Sequence, residues 1–262
     1  MANVFIASTL TLTLLLFAGC GGGIVNSTNT GADGSSGERK FQVIFSQCNN
    51  AEPYRAAQNA LMTKLWNERG NVDLVINDAQ QDNSKQIGHV ENAVLSKPDL
   101  LIVAPNERGP LTKVMGKAME AGIPVICLER DILEPHFTTF VGSDNRKIGR
   151  LAGQFIVQHL IKKNGAAKGK IVHMCGLKGV EGEINRYGGA QEDVMDAYPA
   201  IEILAEPVAD WLQSRARERM AEVLSVHPEI DVVYGHNDPM AIGAYLAAKE
   251  VGRREGDGLY RH

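Results

Sequence analysis

Short apolar runs alternate with amphipathic stretches along this chain, and the alternation runs through once and then restarts. No other feature restricts the fold so strongly. Phe41 to Ser46, Val72 to Ile76, Asp99 to Val103 and Ile123 to Leu128 read as strands. Between them, Ala57 to Glu68, Ser84 to Leu95 and Leu111 to Ala121 carry helical periodicity. Buried strands of this length separated by helices predict βαβ units and a parallel sheet, with right-handed crossovers. The pattern restarts with a strand over Thr138 to Val141 and a long helix to about Lys163. Lys170 to Met174, Ile201 to Ala205 and Asp231 to Tyr234 follow as strands. Their helices are expected over Tyr187 to Ala197, Ser214 to Val226 and Pro239 to Val251. The fold class predicted is α/β, with two doubly wound parallel-sheet lobes joined by a hinge, over residues 40–142 and 143–262. The second lobe lacks a closing strand, and Arg253 to His262 is polar and aperiodic, so that lobe is expected to be incomplete.

The N-terminal region reads differently. Leu10 to Phe17 is almost wholly apolar and is followed by Ala18-Gly19-Cys20. The run is shorter than the roughly 20 residues that span a bilayer as a helix, and it fits the core of a secretory signal peptide. Cys20 after Ala-Gly resembles the lipobox of bacterial lipoproteins. That resemblance implies a diacylated Cys20 as the mature N-terminus. Phe17 stands where Leu is usual, and no Lys or Arg precedes the apolar run. An ordinary cleaved signal or an N-terminal helix are the alternatives. Gly21 to Gly37 is rich in Gly, Ser, Thr and Asn and cannot bury enough apolar surface to fold. Residues 1–20 thus read as a signal peptide and 21–39 as a flexible tether holding an exported domain to a membrane by a lipid anchor only.

A net charge of -4 argues against a nucleic-acid surface, and 44% apolar residues suffice for a buried core. Cys48, Cys127 and Cys175 lie at or near the ends of apolar runs and are expected to be small buried hydrophobes. No spacing suggests zinc, and the seven histidines include no metal-like pair. Gly176, Gly179 and Gly182 do not have a dinucleotide spacing and read as a bend at a cleft. Gly169-Lys170 is not a Walker loop. Without a nucleophile elbow or a recognisable His–carboxylate pair, and with no dinucleotide or Walker motif, neither an enzyme nor a bound cofactor is expected.

Six strings sit at strand ends or at the crossing between lobes. They are Gln47-Cys48-Asn49-Asn50-Ala51-Glu52-Pro53-Tyr54-Arg55, Leu128-Glu129-Arg130 after Ile123-Pro124-Val125-Ile126, Val141-Gly142-Ser143-Asp144-Asn145, Arg186-Tyr187-Gly188-Gly189, Ala209-Asp210-Trp211 and Asn237-Asp238-Pro239-Met240-Ala241. In this order they resemble the ribose/galactose-type periplasmic sugar-binding proteins of ABC transporters, from Lys40 to about Arg254. Ligands of open parallel sheets bind beyond the C-terminal strand ends. Vicinal hydroxyls of a sugar match a guanidinium beside a carboxylate, one donating in a fixed fork and the other accepting. Glu129 with Arg130 is the expected pair from the first lobe; Glu129 stands where the resembled family usually has Asp. Arg186 and Asn237 are expected donors from the second lobe. Trp211 and Tyr54 are placed to pack on a sugar ring. The resemblance adds Asn50, with Asn106 and Glu107 as weaker candidates. Each also has a plainer reading. Glu129 and Arg130 could be a solvated pair, Trp211 core, and Tyr54 a staple for its helix. Asp238 and Asp144 are expected to serve helix starts.

The resemblance implies a receptor for a monosaccharide or similar polyol. It would act as a monomer, in the periplasm or at the cell surface, closing its lobes on the ligand and docking on the permease of an ABC-type importer. A sensory receptor serving a chemoreceptor or histidine kinase would use the same lobes. A LacI-type regulator is disfavoured, because residues 1–40 hold an export signal where a helix-turn-helix would be. The resembled family continues past the last helix with a strand ending in Gly-x-Asp. That segment supplies a ligand carboxylate and finishes both sheets. The chain is therefore expected to be C-terminally truncated and to bind sugar weakly.

Overall fold

A computed structural model describes residues 39–253; the signal, the tether, Cys20 and residues 254–262 lie outside the described residues. The first sheet is built from β1 (Phe41–Gln47), β2 (Val72–Asp78), β3 (Leu100–Val103), β4 (Val125–Leu128) and β5 (Thr139–Val141). All its neighbours are parallel, in the order β2-β1-β3-β4-β5. The second sheet holds β6 (Gly169–Met174), β7 (Ile201–Ala205) and β8 (Val232–Gly235), again parallel, in the order β7-β6-β8. In both sheets the earliest strand has neighbours on each side, so the chain winds both ways and a crevice opens beyond the C-terminal strand ends.

Local chemistry sets the helix limits. Pro53 opens α1 (Pro53–Arg69), where its missing N–H costs nothing, and Gly70 closes it at φ 73. Asp82 caps α2 (Asn83–Ser96) by accepting from the Ser84 and Lys85 amides. The remaining first-lobe helix is α3 (Arg108–Glu120). Asp144, as expected, serves a helix start: its carboxylate accepts from the Lys147 amide at 2.9 Å at the head of α4 (Asn145–Asn164). The second lobe continues with α5 (Glu181–Ala190), α6 (Gln213–Val226) and α7 (Asp238–Glu250). Asn237 rather than Asp238 caps α7 through its side chain, which accepts from the Met240 amide; Asp238 contributes charge in the first turn.

One helix differs from expectation. A helix over Tyr187 to Ala197 is replaced by α5, which starts six residues earlier, stops at Ala190, and leaves only a 3-10 turn at Met195–Ala197. Glu181 and Glu183 favour the early start by facing the helix dipole. Gly188 and Gly189, next to the expected helix start at Tyr187, lie near the end of α5, and Gly189 makes a packing contact. A Cβ on Gly189 would lie 2.2 Å from the Arg146 carbonyl, and one on Gly149 would lie 2.3 Å from the Arg186 carbonyl. α4 and α5 therefore touch backbone to backbone, and Arg186 lies inside α5.

Each lobe has its own core. Leu101, Val103, Leu111 and Met115 are fully buried between the first sheet and α2 and α3. Met174, Met220, Met240 and Ala216 fill the space beneath α6 and α7. Removing a large apolar side chain from water is worth about 1.5–3 kcal/mol, so these residues hold each sheet and its helices as a unit and leave the strand-end loops to form the site. Cys48, Cys127 and Cys175 are buried and unpaired, as the apolar runs suggested. Burial and the nearby Asp131 push the Cys127 thiol up to about 12.

Candidate functional site

The loops after β1, β4, β6, β7 and β8 converge on a cavity of about 470 Å³ between the lobes. Tyr54, Glu129 and Arg130 line it from the first lobe; Arg186, Trp211 and Asn237 line it from the second. These are six of the seven principal candidates from the sequence; Asn50 is the seventh. Asn50, Asn106 and Glu107 are not among the lining residues. The Asn50 side chain accepts from Asn59 at 2.6 Å on the exposed face of α1. Asn106 is buried: its amide donates to the Gln81 carbonyl and to Asn83, and its backbone carbonyl accepts from Arg130 at 3.2 Å. Asn106 thus supports Arg130 from behind the cavity wall. Glu107 precedes α3 and makes no capping bond.

Glu129 and Arg130, the acceptor and donor expected from the first lobe, both line the cavity but have different partners. The Arg130 amide donates to the Leu128 carbonyl at 2.8 Å across Glu129, which has φ +68. A three-residue turn with positive φ at its centre is rare and strained, the kind of backbone found at binding sites. Glu129 pairs with Arg55, which is 1% exposed. Arg55 also donates to Gln47 Oε1 at 3.1 Å, and its Nε lies 3.8 Å from the Glu52 carboxylate. Burial works against the charge on Arg55, but the acidic groups of Cys48, Glu129 and Glu52 outweigh it and raise its pKa. Arg55 stands in the first quoted string, but without the fold nothing marks it as the partner of a residue after β4. Tyr54, next to it, keeps its phenol proton more firmly than usual because burial and Glu129 both disfavour phenolate. It is a hydroxyl donor at the cavity.

Arg130 takes another role. Its guanidinium lies 5.6 Å from the Trp211 ring, and so does that of Arg186. Trp211 is 4% exposed and packs in the second-lobe core, as its plainer reading has it, while also lining the cavity. Asp210 and Trp211 both have positive φ, at 49 and 70. Gly176 accepts the ring; a Cβ there would lie 2.3 Å from the indole. Gln81 reaches across the lobes to the Asp210 carbonyl at 3.4 Å.

Arg186 is held from two sides. Its Nε donates to Asn145 Oδ1 at 2.9 Å, and its Nη1 donates to the His236 carbonyl. Asn145 in turn donates to Glu181 at 2.7 Å. Asn237 uses both ends of its amide internally, since the other end donates to the Trp211 carbonyl at 3.1 Å. Asn237 therefore positions Trp211 and α7 while lining the cavity. Asn145, Glu52 and His236 also line it and were not singled out from the sequence. Asn145 carries a visible signal, its place in the Ser143-Asp144-Asn145 string at the crossing. Behind His236, the rings of His173, Tyr187 and Tyr234 pack edge to face. Burial holds His173 neutral, its pKa down at about 3, and it holds His236 well below its usual value. The site therefore presents fixed guanidinium forks, a carboxylate, a phenol and an indole around one cavity, the groups that recognise neutral polyhydroxylated ligands.

Comparison with known proteins agrees. A family described as the periplasmic binding protein domain matches residues 43–260. The ribose import binding protein of Bacillus subtilis is 29% identical over 245 residues, covering 93% of this chain and 76% of that protein. The xylitol-binding protein of Mycolicibacterium smegmatis is 33% identical over 184 residues, or 70% of this chain, and the match spans only 51% of that relative. The solved fructose-binding periplasmic domain of a hybrid two-component system superposes with a TM-score of 0.75 at 35% identity, covering 83% of this chain and 70% of that one. The chain belongs to the periplasmic binding protein domain family.

Proposed function

We propose that this chain is an exported receptor for a neutral monosaccharide or similar polyol, which it presents to an ABC-type importer. The observation that carries the reading is the cavity itself. Glu129 and Arg130 enter it from one lobe and Arg186 and Trp211 from the other, so a bound polyol is contacted by both only when the lobes are closed. Ligand then favours the closed form by differential contact. The similar proteins are named for ribose, xylitol and fructose, all neutral and hydroxyl-rich. Tyr54, Glu129, Arg130, Arg186 and Trp211 are proposed as ligand contacts, with Arg55, Asn106, Asn145 and Asn237 as positioning residues. Cys20 is proposed as a lipid attachment point holding the receptor at the membrane. A sensory role is the second reading, favoured by the similarity to a domain of a two-component system.

The test uses tryptophan fluorescence. The chain has two tryptophans. Trp66 is partly buried and packs against the first-lobe core, so the variant Trp66→Phe leaves Trp211 as sole reporter. Titration with pentoses, hexoses and their alditols is expected to give a saturable change with at least one of them, and Arg186→Ala is expected to abolish it. A variant that stays folded and responds to none of the panel refutes the reading.

A further inference from the structure

At the second-lobe wall of the cavity, which His236 helps to line, three potential metal ligands meet that no local sequence spacing connects. They are Cys175 Sγ, a Glu183 carboxylate oxygen and a His236 ring nitrogen. All three residues are buried, and these atoms lie within 4.8 Å of one another. Each comes from a different rigid element. Cys175 follows β6 and is pinned by its amide to the Pro207 carbonyl at 2.8 Å. His236 follows β8 and is pinned by its amide to the Met174 carbonyl at 3.2 Å. Glu183 stands in the first turn of α5, with its side chain 5% exposed. Neither ring nitrogen of His236, itself 3% exposed, has a hydrogen-bond partner among the described residues. An imidazole buried this deeply without a partner forgoes a hydrogen bond that such groups nearly always make.

A cation already occupies the cluster. Lys178 Nζ donates to Glu183 Oε1 at 2.8 Å and sits over the Tyr187 ring at 5.3 Å. Its side chain is 51% exposed, so it can swing into solvent, and the loop that carries it bends at Gly179, φ +83. We propose that Cys175, Glu183 and His236 form a site for a zinc-type divalent ion, which binds in exchange for the Lys178 ammonium. Thiolate, imidazole and carboxylate together suit a borderline-soft ion in tetrahedral geometry. Zinc–ligand distances of about 2.0–2.3 Å put neighbouring donors roughly 3.5 Å apart. The cluster therefore has to draw in by only about 1 Å, within reach of the Glu183 side chain. On binding, the Cys175 thiol proton leaves to solvent as the sulfur–metal bond forms. The three ligands leave a fourth position open to water. The ion would tie the loop after β6, the head of α5 and the loop after β8 together, three segments that frame the second-lobe side of the cavity.

The test is a Co2+ titration of the full chain, reduced and stripped of metal, read by thiolate-to-cobalt charge-transfer absorption in the near ultraviolet. The expected result is saturation at one equivalent and bleaching by Zn2+. Cys175→Ser is expected to abolish the band, and Cys127→Ser, altering a thiol elsewhere in the fold, to retain it. Glu183→Gln and His236→Gln are each expected to weaken binding by at least about tenfold. Lys178→Ala removes the competing cation and is expected to tighten binding by about tenfold, the lower end of what a charge-assisted hydrogen bond is worth. The proposal is overturned if the unaltered chain develops no band with Co2+ in large excess, or if the band survives Cys175→Ser. An unchanged affinity in Lys178→Ala overturns the exchange of cations.

Discussion

Arg55 offers the sharpest test of how the site is built. Replacing it with Met keeps most of the stem but removes the charge from a position that is 1% exposed. Gln47 Oε1 loses one donor and keeps the Cys48 amide, and the carboxylates of Glu52 and Glu129 lose their counter-ion. Removing one member of a buried pair costs about 3–5 kcal/mol, because the other charge stays desolvated. The Glu129 side chain is 28% exposed, so water compensates part of that, and about 3 kcal/mol at pH 7 is the expectation. Glu129→Gln alone leaves Arg55 with Gln47 and Glu52, and should cost about 1–2 kcal/mol, as for loss of one charged hydrogen bond. In the double variant no Glu129 charge remains stranded, so the losses should fall short of additive by about 1–2 kcal/mol, within the range for contacting residues. Urea unfolding followed by circular dichroism measures all three, since urea does not screen charge as guanidinium does. A loss below about 1 kcal/mol for Arg55→Met, or additivity within about 0.5 kcal/mol, would refute the view that this ion pair organises the first-lobe side of the cavity.

Two further outcomes follow from single contacts. Gly176→Ala puts a Cβ where the indole of Trp211 sits, 2.3 Å from it. It is expected to displace the ring, red-shift its fluorescence and destabilise the fold by about 1–3 kcal/mol, as overpacking does; an unshifted spectrum would mean that the loop yields instead. Asp231 accepts from the Lys170 amide at 2.8 Å and pairs with Lys163 at 2.9 Å. Burial alone would raise its pKa, but these contacts outweigh it and lower it. A depressed folded pKa gives stability that is present above the unfolded value and is lost as pH falls through the folded one. Asp231→Asn should therefore flatten the stability curve below about pH 4, the ordinary range of a carboxylate, and a curve of unchanged slope there would contradict the assignment.

The β/α alternation was legible from the sequence because hydrophobic period depends only on which face each residue shows to the core. β1, β2, β6 and β7 appear where their apolar runs lie, within a residue or two. The helix after β6 was misplaced because the string holding Gly188 and Gly189 was placed at the start of that helix, whereas these glycines lie near its end and serve a contact with α4, forty residues upstream. Parallel topology places strand-end loops at one crevice, so position, side-chain chemistry and the resemblance together nominated Tyr54, Glu129, Arg130, Arg186, Trp211 and Asn237, and also Asn50, which does not line the cavity. Which groups pair within that crevice was decided only by the tertiary structure. Glu129, whose backbone takes φ +68, pairs with Arg55 rather than with its neighbour Arg130, a choice set by its surroundings and not by its own propensity. Cys175, Glu183 and His236 likewise meet only because β6 and β8 end side by side in one sheet and α5 begins beside those ends. Periodic burial is written residue by residue along the chain; the partner of a charge depends on what folding brings within a few ångströms of it.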